Sequence, residues 1–127
     1  EFSYYPLILY FGAIFWTLGY DTIYGFQDIK DDEIIGVKST SIKFKKNPKL
    51  FLFICYLIFY MSLLLLGVIM SYSFYYFIFS ALILYHLIVF QIKPLDTAKP
   101  QMCLNKFKSN NPLGFLVFVN ILIGGNF

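Results

Sequence analysis

Four acidic side chains lie close together in the sequence, next to a lysine-rich stretch. They are Asp28, Asp31, Asp32 and Glu33. On a helix, Asp28 and Asp32 share one face because they are four residues apart, and Asp21 lies about two turns earlier on nearly the same side. Like charges at this spacing repel each other, so a bound cation would stabilise the cluster. Because Mg²⁺ prefers carboxylate and phosphate oxygens, one interpretation is a site for Mg²⁺ and a diphosphate. The other interpretation is a solvated acidic helix end that nearby lysines neutralise.

Long apolar runs flank this polar segment and must position it. Residues 2–20 contain no charged side chain, and a helix of that length crosses the ~30 Å hydrocarbon core of a bilayer. Residues 50–92 form a second run of 43 uncharged residues. As one helix this run would be about 65 Å long, so we expect it to fold as a hairpin that turns at residues 71–73. A third run, 112–127, is short for a full span.

These runs predict an all-α fold, a polytopic membrane helical bundle with about four transmembrane helices, which forms one unit over residues 1–127. The predicted helices cover about 2–20, 50–70, 74–92 and 112–125, and the predicted polar loops cover 21–49 and 93–111. All ten basic residues are lysines, and all lie in these two loops. By the positive-inside rule both loops face the cytoplasm or its equivalent. We expect the bacterial inner membrane, with the mitochondrial inner membrane as the alternative.

The composition excludes several classes of protein. With 59% hydrophobic and 13% charged residues, the chain cannot cover its surface as a water-soluble monomer. A net charge of +3, embedded in apolar sequence, argues against binding to nucleic acid. Cys55 and Cys103 do not have the spacing of metal ligands, and the chain has one histidine, so neither a zinc site nor a disulfide is expected.

Two segments resemble a known family. Residues 20–33 read Tyr-Asp-Thr-Ile-Tyr-Gly-Phe-Gln-Asp-Ile-Lys-Asp-Asp-Glu, and Ile-Ile-Gly-Val-Lys-Ser-Thr follows at 34–40. This segment closely resembles the second aspartate-rich motif of the UbiA family of intramembrane prenyltransferases, in particular the branch that prenylates 4-hydroxybenzoate in ubiquinone biosynthesis. Residues 103–114, Cys-Leu-Asn-Lys-Phe-Lys-Ser-Asn-Asn-Pro-Leu-Gly, resemble the segment before the last helix of those enzymes.

The resemblance implies a function and assigns residues to it. Such enzymes hold Mg²⁺ on a polyprenyl diphosphate between two aspartate-rich motifs and transfer the polyprenyl group to 4-hydroxybenzoate. By position in the motif, Asp28 and Asp32 are the expected catalytic, metal-binding carboxylates, and Lys38 is the expected diphosphate contact. Further candidates from the same motif are Asp31, Asp21 and Tyr24.

The resemblance covers only about the second half of such an enzyme. The first aspartate-rich motif and the basic residue expected to bind the benzoate carboxylate are missing from this sequence. The expected partner is therefore the N-terminal half of the enzyme, together with membrane lipid. One alternative is a family member with another aromatic acceptor, and another is a non-catalytic membrane fragment of a split or decaying gene. An unrelated transporter with an acidic cation gate fits less well, because the predicted helices contain no acidic residues.

Three polar residues near or within the apolar runs carry structural predictions. His86 is expected to stay neutral and to bond a neighbouring helix, although an ionisable group inside a membrane is also a functional candidate. Asn120 is expected to form an interhelical hydrogen bond. Asn111 is expected to cap the last helix, with Pro112 at its first position.

Overall fold

The computed structural model describes residues 5–26, 46–96 and 99–126, and throughout these stretches the regular structure is helical. A π-helical segment, His86–Ile92, continues directly from the α-helix that ends at Tyr85. The α-helices are α1 (Tyr5–Gly25), α2 (Pro48–Ile69), α3 (Phe74–Tyr85), α4 (Pro100–Lys108) and α5 (Asn110–Asn126).

The predicted class, an all-α membrane bundle, is confirmed. Among the described residues, three helical stretches are long and apolar enough to cross a bilayer: Pro6–Gly25, Pro48–Ile69 and Phe74–Ile92, with 20, 22 and 19 residues. Helix α5 corresponds to the fourth predicted crossing and has 17 residues. At 1.5 Å per residue it is about 25 Å long, somewhat shorter than the hydrocarbon core.

Helices α1 and α2 approach each other closely because glycines face the contact. A Cβ added at Gly12 would collide with the Ser62 side chain, and one added at Gly19 would lie 2.5 Å from Tyr56 Cε1. The Ser62 hydroxyl also donates a 2.6 Å hydrogen bond to the Ile8 carbonyl. Small residues and interhelical hydrogen bonds of this kind stabilise helix pairs in lipid, where the hydrophobic effect does not drive helices together.

The chain reverses direction after α2 at the turn that the sequence predicts. Ser71 has a left-handed backbone conformation, with φ of 54°. The Ser71 amide donates to the Val68 carbonyl (3.3 Å), and the Tyr72 amide donates to the Gly67 carbonyl (2.9 Å). This pair of bonds is a Schellman motif, which satisfies the last carbonyl groups of α2.

The described parts of the two lysine-rich segments meet at one end of the bundle. Lys49 Nζ, near the start of α2, donates a 2.8 Å hydrogen bond to the Lys93 carbonyl, just after the π-helical segment. At the opposite end, the Ser73 amide donates to the Gly124 carbonyl at 3.4 Å, which joins the start of α3 to the end of α5. Which side of the membrane the lysine-rich end faces stays a prediction.

Two boundaries differ from the sequence prediction. Segment 93–111, predicted as a loop, contains helix α4 with Pro100 in its first turn. Cys103 and Phe107 lie four residues apart and therefore on the same face of this short helix. Cys103 is completely buried on that face. Helix α5 begins at Asn110, before the predicted cap at Asn111, because the Leu113 amide already bonds the Ser109 carbonyl at 3.3 Å.

Candidate active site

The predicted site residues fall into two groups. Asp21 and Tyr24 lie near the C-terminal end of α1, and both side chains are exposed, Tyr24 by 42%. The main predicted residues lie outside the described part of the chain: Asp28, Asp31, Asp32 and Lys38. The structure therefore describes the helix that leads into the acidic segment and the residues that hold this helix in place.

An aromatic cluster surrounds the end of α1. The Tyr24 ring lies 4.7 Å from the Phe107 ring of α4, and the Tyr20 ring lies 5.6 Å from it. Tyr20 also contacts Trp16 at 5.6 Å, and Trp16 stacks on Phe59 of α2 at 5.0 Å. These centroid distances fall in the range of favourable aromatic pairs. The rings therefore form a continuous series from the α1–α2 interface to the end of α1.

Two buried amide side chains meet beside this cluster. Gln91 lies in the π-helical segment and is fully buried, and Asn110 begins α5 and is 6% exposed. Gln91 Nε2 donates to Asn110 Oδ1 at 2.9 Å, and Asn110 Nδ2 donates back to Gln91 Oε1 at 3.4 Å. The two bonds form a closed amide–amide pair, which we call the amide pair below.

Other residues satisfy the remaining donors and acceptors of the amide pair. Trp16 Nε1 donates to Asn110 Oδ1 at 2.9 Å, and the Tyr56 hydroxyl donates to Gln91 Oε1 at 2.7 Å. Gln91 Nε2 also lies 3.2 Å from His86 Nδ1, which accepts a hydrogen bond in neutral imidazole. Asn110 Nδ2 donates to the Phe107 carbonyl at 3.2 Å, within α4. Each amide oxygen thus accepts two hydrogen bonds, and each NH₂ group donates at least two.

The π-helical segment brings Gln91 to this position. Its wider turn is visible in the hydrogen bond from the Lys93 amide to the Ile88 carbonyl, five residues earlier. Leu87, Gln91 and Ile92 are all buried, so the wider turn keeps these residues on the inner face. Short π-helical segments of this kind occur frequently at functional sites.

Sequence reasoning missed this network. The available signal was Gln91, a lone amide in a long apolar run. Asn110 directly precedes the predicted helix cap, and nothing in the sequence indicates a buried contact for it. His86 bonds Gln91 of its own segment, whereas the sequence predicted a bond to a neighbouring helix. Asn120 donates to the Ser80 hydroxyl of α3 at 2.9 Å, as predicted for an interhelical bond.

The described residues hold no group of three or more side chains that could bind a metal ion. The acidic residues among them are Asp21 and Asp96. The carboxylates of residues 28–33 lie outside the described part of the chain. As a donor set, those carboxylates are hard oxygen ligands, which fit Mg²⁺ and not a soft metal.

Cys103 is not a nucleophile in this arrangement. Its side chain is fully buried in α4, and its Sγ donates a hydrogen bond to the Asp96 carbonyl at 3.7 Å. Burial, and secondarily the Asp96 carboxylate, raise the pKa of the Cys103 thiol. The thiol therefore stays protonated near neutral pH, where thiolate chemistry would need the charged form.

An apolar groove runs between α1 and α2, with a volume of about 680 Å³. It lies toward the end of the bundle opposite the lysines. The lining residues are Leu7, Ile8, Phe11, Leu57, Ile58, Met61, Ser62 and Leu65. A lining of this composition suits a hydrocarbon chain.

Comparison with known proteins identifies relatives over nearly the whole chain. Residues 1–121 match the UbiA prenyltransferase family. The human protein named "4-hydroxybenzoate polyprenyltransferase, mitochondrial" is 42% identical over 118 residues, which cover 93% of this chain and 32% of the human protein. The bovine protein of the same name is 41% identical over 118 residues, with the same shares covered.

A plant relative is similar to the same degree. "4-Hydroxybenzoate geranyltransferase 2" of Lithospermum erythrorhizon is 39% identical over 120 residues, which cover 94% of this chain and 38% of the plant protein. The chain thus spans about a third of the length of these curated relatives. No solved structure matches the chain.

Proposed function

Because the chain belongs to the UbiA prenyltransferase family, we propose that the complete protein transfers a polyprenyl group from its diphosphate to 4-hydroxybenzoate in ubiquinone biosynthesis. The observation that carries this proposal is the family match over residues 1–121, which includes both motifs of the sequence analysis. The human, bovine and plant relatives all carry 4-hydroxybenzoate in their names, which favours this acceptor over other aromatic acceptors.

The acidic segment supplies the diphosphate site in this proposal. Asp28 and Asp32 hold Mg²⁺, Asp31 assists them, and Lys38 contacts the diphosphate. When bound, Mg²⁺ neutralises the charge that develops on the leaving diphosphate. The rest of the enzyme provides the facing aspartate-rich motif and the group that binds the benzoate carboxylate. This division agrees with the share of the relatives that the chain covers, about a third.

The reaction forms a carbon–carbon bond. The allylic C–O bond to the diphosphate breaks, the allylic carbon bonds the ring carbon ortho to the acceptor hydroxyl, and that ring carbon loses its proton. The aromatic rings at the end of α1, Tyr20 and Tyr24 with Phe107, offer ring faces to a developing cation. The apolar groove between α1 and α2 offers a place for the hydrocarbon chain of the donor.

The names of the relatives also bear on donor length and location. The human protein is named for the transfer of a polyprenyl group and the plant protein for the transfer of a geranyl group. Geranyl diphosphate is therefore the second donor to test. Helices long and apolar enough to span a bilayer support an integral membrane protein. The human and bovine names favour a mitochondrial membrane over the bacterial inner membrane, and cell fractionation distinguishes the two.

A carboxylate substitution tests the metal role. The complete protein, as its gene encodes it, is expressed in membranes and assayed with 4-hydroxybenzoate and a polyprenyl diphosphate. Asp28→Ala and Asp32→Ala are expected to abolish Mg²⁺-dependent transfer, because each removes a metal-binding carboxylate. Asp96→Ala, which removes a carboxylate from a loop outside the acidic segment, is the matched control and should retain activity. Full activity of Asp28→Ala would exclude the assigned metal role.

A further inference from the structure

Side chains of four helical elements, together with carbonyl groups of α4, form the hydrogen bonds around the amide pair. Trp16 comes from α1, Tyr56 from α2, Gln91 from the π-helical segment and Asn110 from α5. We propose that Asn110 is a positioning residue for the acidic segment. Through the amide pair it fixes the C-terminal end of α1 against α4 and thereby the place where the carboxylates begin. The catalytic consequence rests on the proposed function, whereas the effect on helix position does not.

The hydrogen-bond pattern specifies an amide at position 110. Its oxygen accepts from Trp16 and from Gln91, while its nitrogen donates to Gln91 and to carbonyls of α4. Leucine at this position would leave the Trp16 and Gln91 donors without an acceptor in a buried site. Aspartate would face the Gln91 oxygen and the α4 carbonyls with a second oxygen. A group that donates and accepts at the same time is therefore required.

The bond to Trp16 acts on the end of α1. Trp16, Tyr20 and Tyr24 follow each other at four-residue spacing, so they lie on one face of the helix. On that face, Tyr20 and Tyr24 pack on Phe107 of α4, and Asn110 bonds both Trp16 and the Phe107 carbonyl. The amide pair therefore fixes the rotation and height of α1 relative to α4.

The acidic segment follows immediately along the chain. Helix α1 ends at Gly25, and Asp28 comes three residues later. Three residues of fully extended chain span at most about 10 Å. A displacement of the end of α1 therefore shifts the region that the first carboxylate can reach. In enzymes, a misplacement of about 1 Å by a mutation far from the chemistry can cost about 100-fold in rate.

Asn120 provides a matched control for loss of stability. It lies on the same helix as Asn110, is fully buried, and donates an interhelical hydrogen bond to Ser80. This bond joins α5 to α3, on a part of α5 away from α1. If buried amides of α5 served stability alone, Asn110→Leu and Asn120→Leu would have the same effect on activity for each unit of folded protein.

The kinetic test uses the complete protein in membranes, with rates normalised to folded protein. Asn110→Leu is expected to lower kcat about 10- to 100-fold and to raise the Mg²⁺ concentration needed for half-maximal rate. Asn120→Leu is expected to leave both quantities near those of the wild type.

A length swap adds a rescue to this test. Gln91→Asn and Asn110→Gln each change the reach of one amide, whereas the double variant restores the combined length. The double variant should recover most of the rate that the single variants lose. Equal effects of Asn110→Leu and Asn120→Leu, together with no recovery in the double variant, would overturn the proposal.

A second measurement does not depend on activity. Cysteines at Tyr24 and Phe107, whose native rings are 4.7 Å apart, are introduced into a Cys55→Ala/Cys103→Ala background and joined with a short bis-maleimide in membranes. Adding Asn110→Leu should reduce cross-linking strongly, and adding Asn120→Leu should not. Unchanged cross-linking with Asn110→Leu would refute the positioning role. If the wild type transfers no prenyl group, the proposed function fails, and the cross-linking still decides whether Asn110 positions α1.

Discussion

Replacing Gly19 with alanine tests the close contact between α1 and α2, on which the position of Tyr56 depends. The added Cβ would lie 2.5 Å from Tyr56 Cε1, 3.1 Å from Cδ1 and 3.2 Å from Cζ. The Tyr56 ring cannot easily move away, because it is fully buried and its hydroxyl is bonded to Gln91 at 2.7 Å. Either α1 must shift outward or the hydrogen bond must break.

The magnitude follows from two opposing terms. Overpacking of a buried contact costs about 1–3 kcal/mol, whereas exchanging glycine for alanine in a helix gains up to about 1 kcal/mol. Because the collision at Gly19 is severe, we expect a cost near the upper end and a net loss of about 1–2 kcal/mol in the free energy of unfolding. At about 4 °C per kcal/mol, the melting temperature should fall by about 4–8 °C.

The same substitution at Gly114 of α5 is the control. Its added Cβ would lie 3.4 Å from Trp16 Cη2, an ordinary van der Waals distance. Gly114→Ala should therefore leave the melting temperature unchanged or raise it by up to about 4 °C. Both variants are compared with the wild type by thermal unfolding in one detergent. A melting temperature that rises for Gly19→Ala as it does for Gly114→Ala would refute the account of this interface.

Two further predictions concern the lysine-rich end of the bundle. Because the pKa of buried Cys103 is raised above the ordinary thiol value of 9.0, the unfolded chain ionises first as the pH rises. The free energy of unfolding should therefore fall above about pH 9, and less steeply in Cys103→Ala, which thermal unfolding across pH checks. The positive-inside rule predicts that single cysteines at Lys46 and Met70, in a Cys55→Ala/Cys103→Ala background, react with an impermeant maleimide from opposite sides of the membrane. Labelling of both from one side would contradict that topology.

The fold was largely predictable from the sequence because helix formation in a membrane depends on long apolar runs. The runs 2–20 and 50–92 indicate α1 and the α2–α3 hairpin, and the turn near Ser71 follows from the length of the second run. Helix α4 was missed because its nine residues mix polar and apolar side chains and form no long apolar run. Such a short helix depends on the burial of Cys103 against its neighbours, which hydropathy does not reveal.

The candidate site likewise has one part that the sequence indicates and one part that it does not. The assignment of Asp28 and Asp32 stays a prediction, which rests on a spacing that suits a cation and on a family motif. The amide pair was not predictable, because Gln91 and Asn110 are separated by 19 residues and meet only through the path of the chain. The π-helical segment that turns Gln91 inward also has no signature in composition.

The most direct test of the central claim is the identity of the product. Membranes that contain the complete protein are incubated with 4-hydroxybenzoate and a polyprenyl diphosphate, with and without Mg²⁺, and the lipid extract is analysed by mass spectrometry. The expected product is a 4-hydroxybenzoate that carries one polyprenyl group on a ring carbon, formed with Mg²⁺ and absent without it. Absence of that product with Mg²⁺ present, or equal formation after Mg²⁺ is removed, would contradict the account.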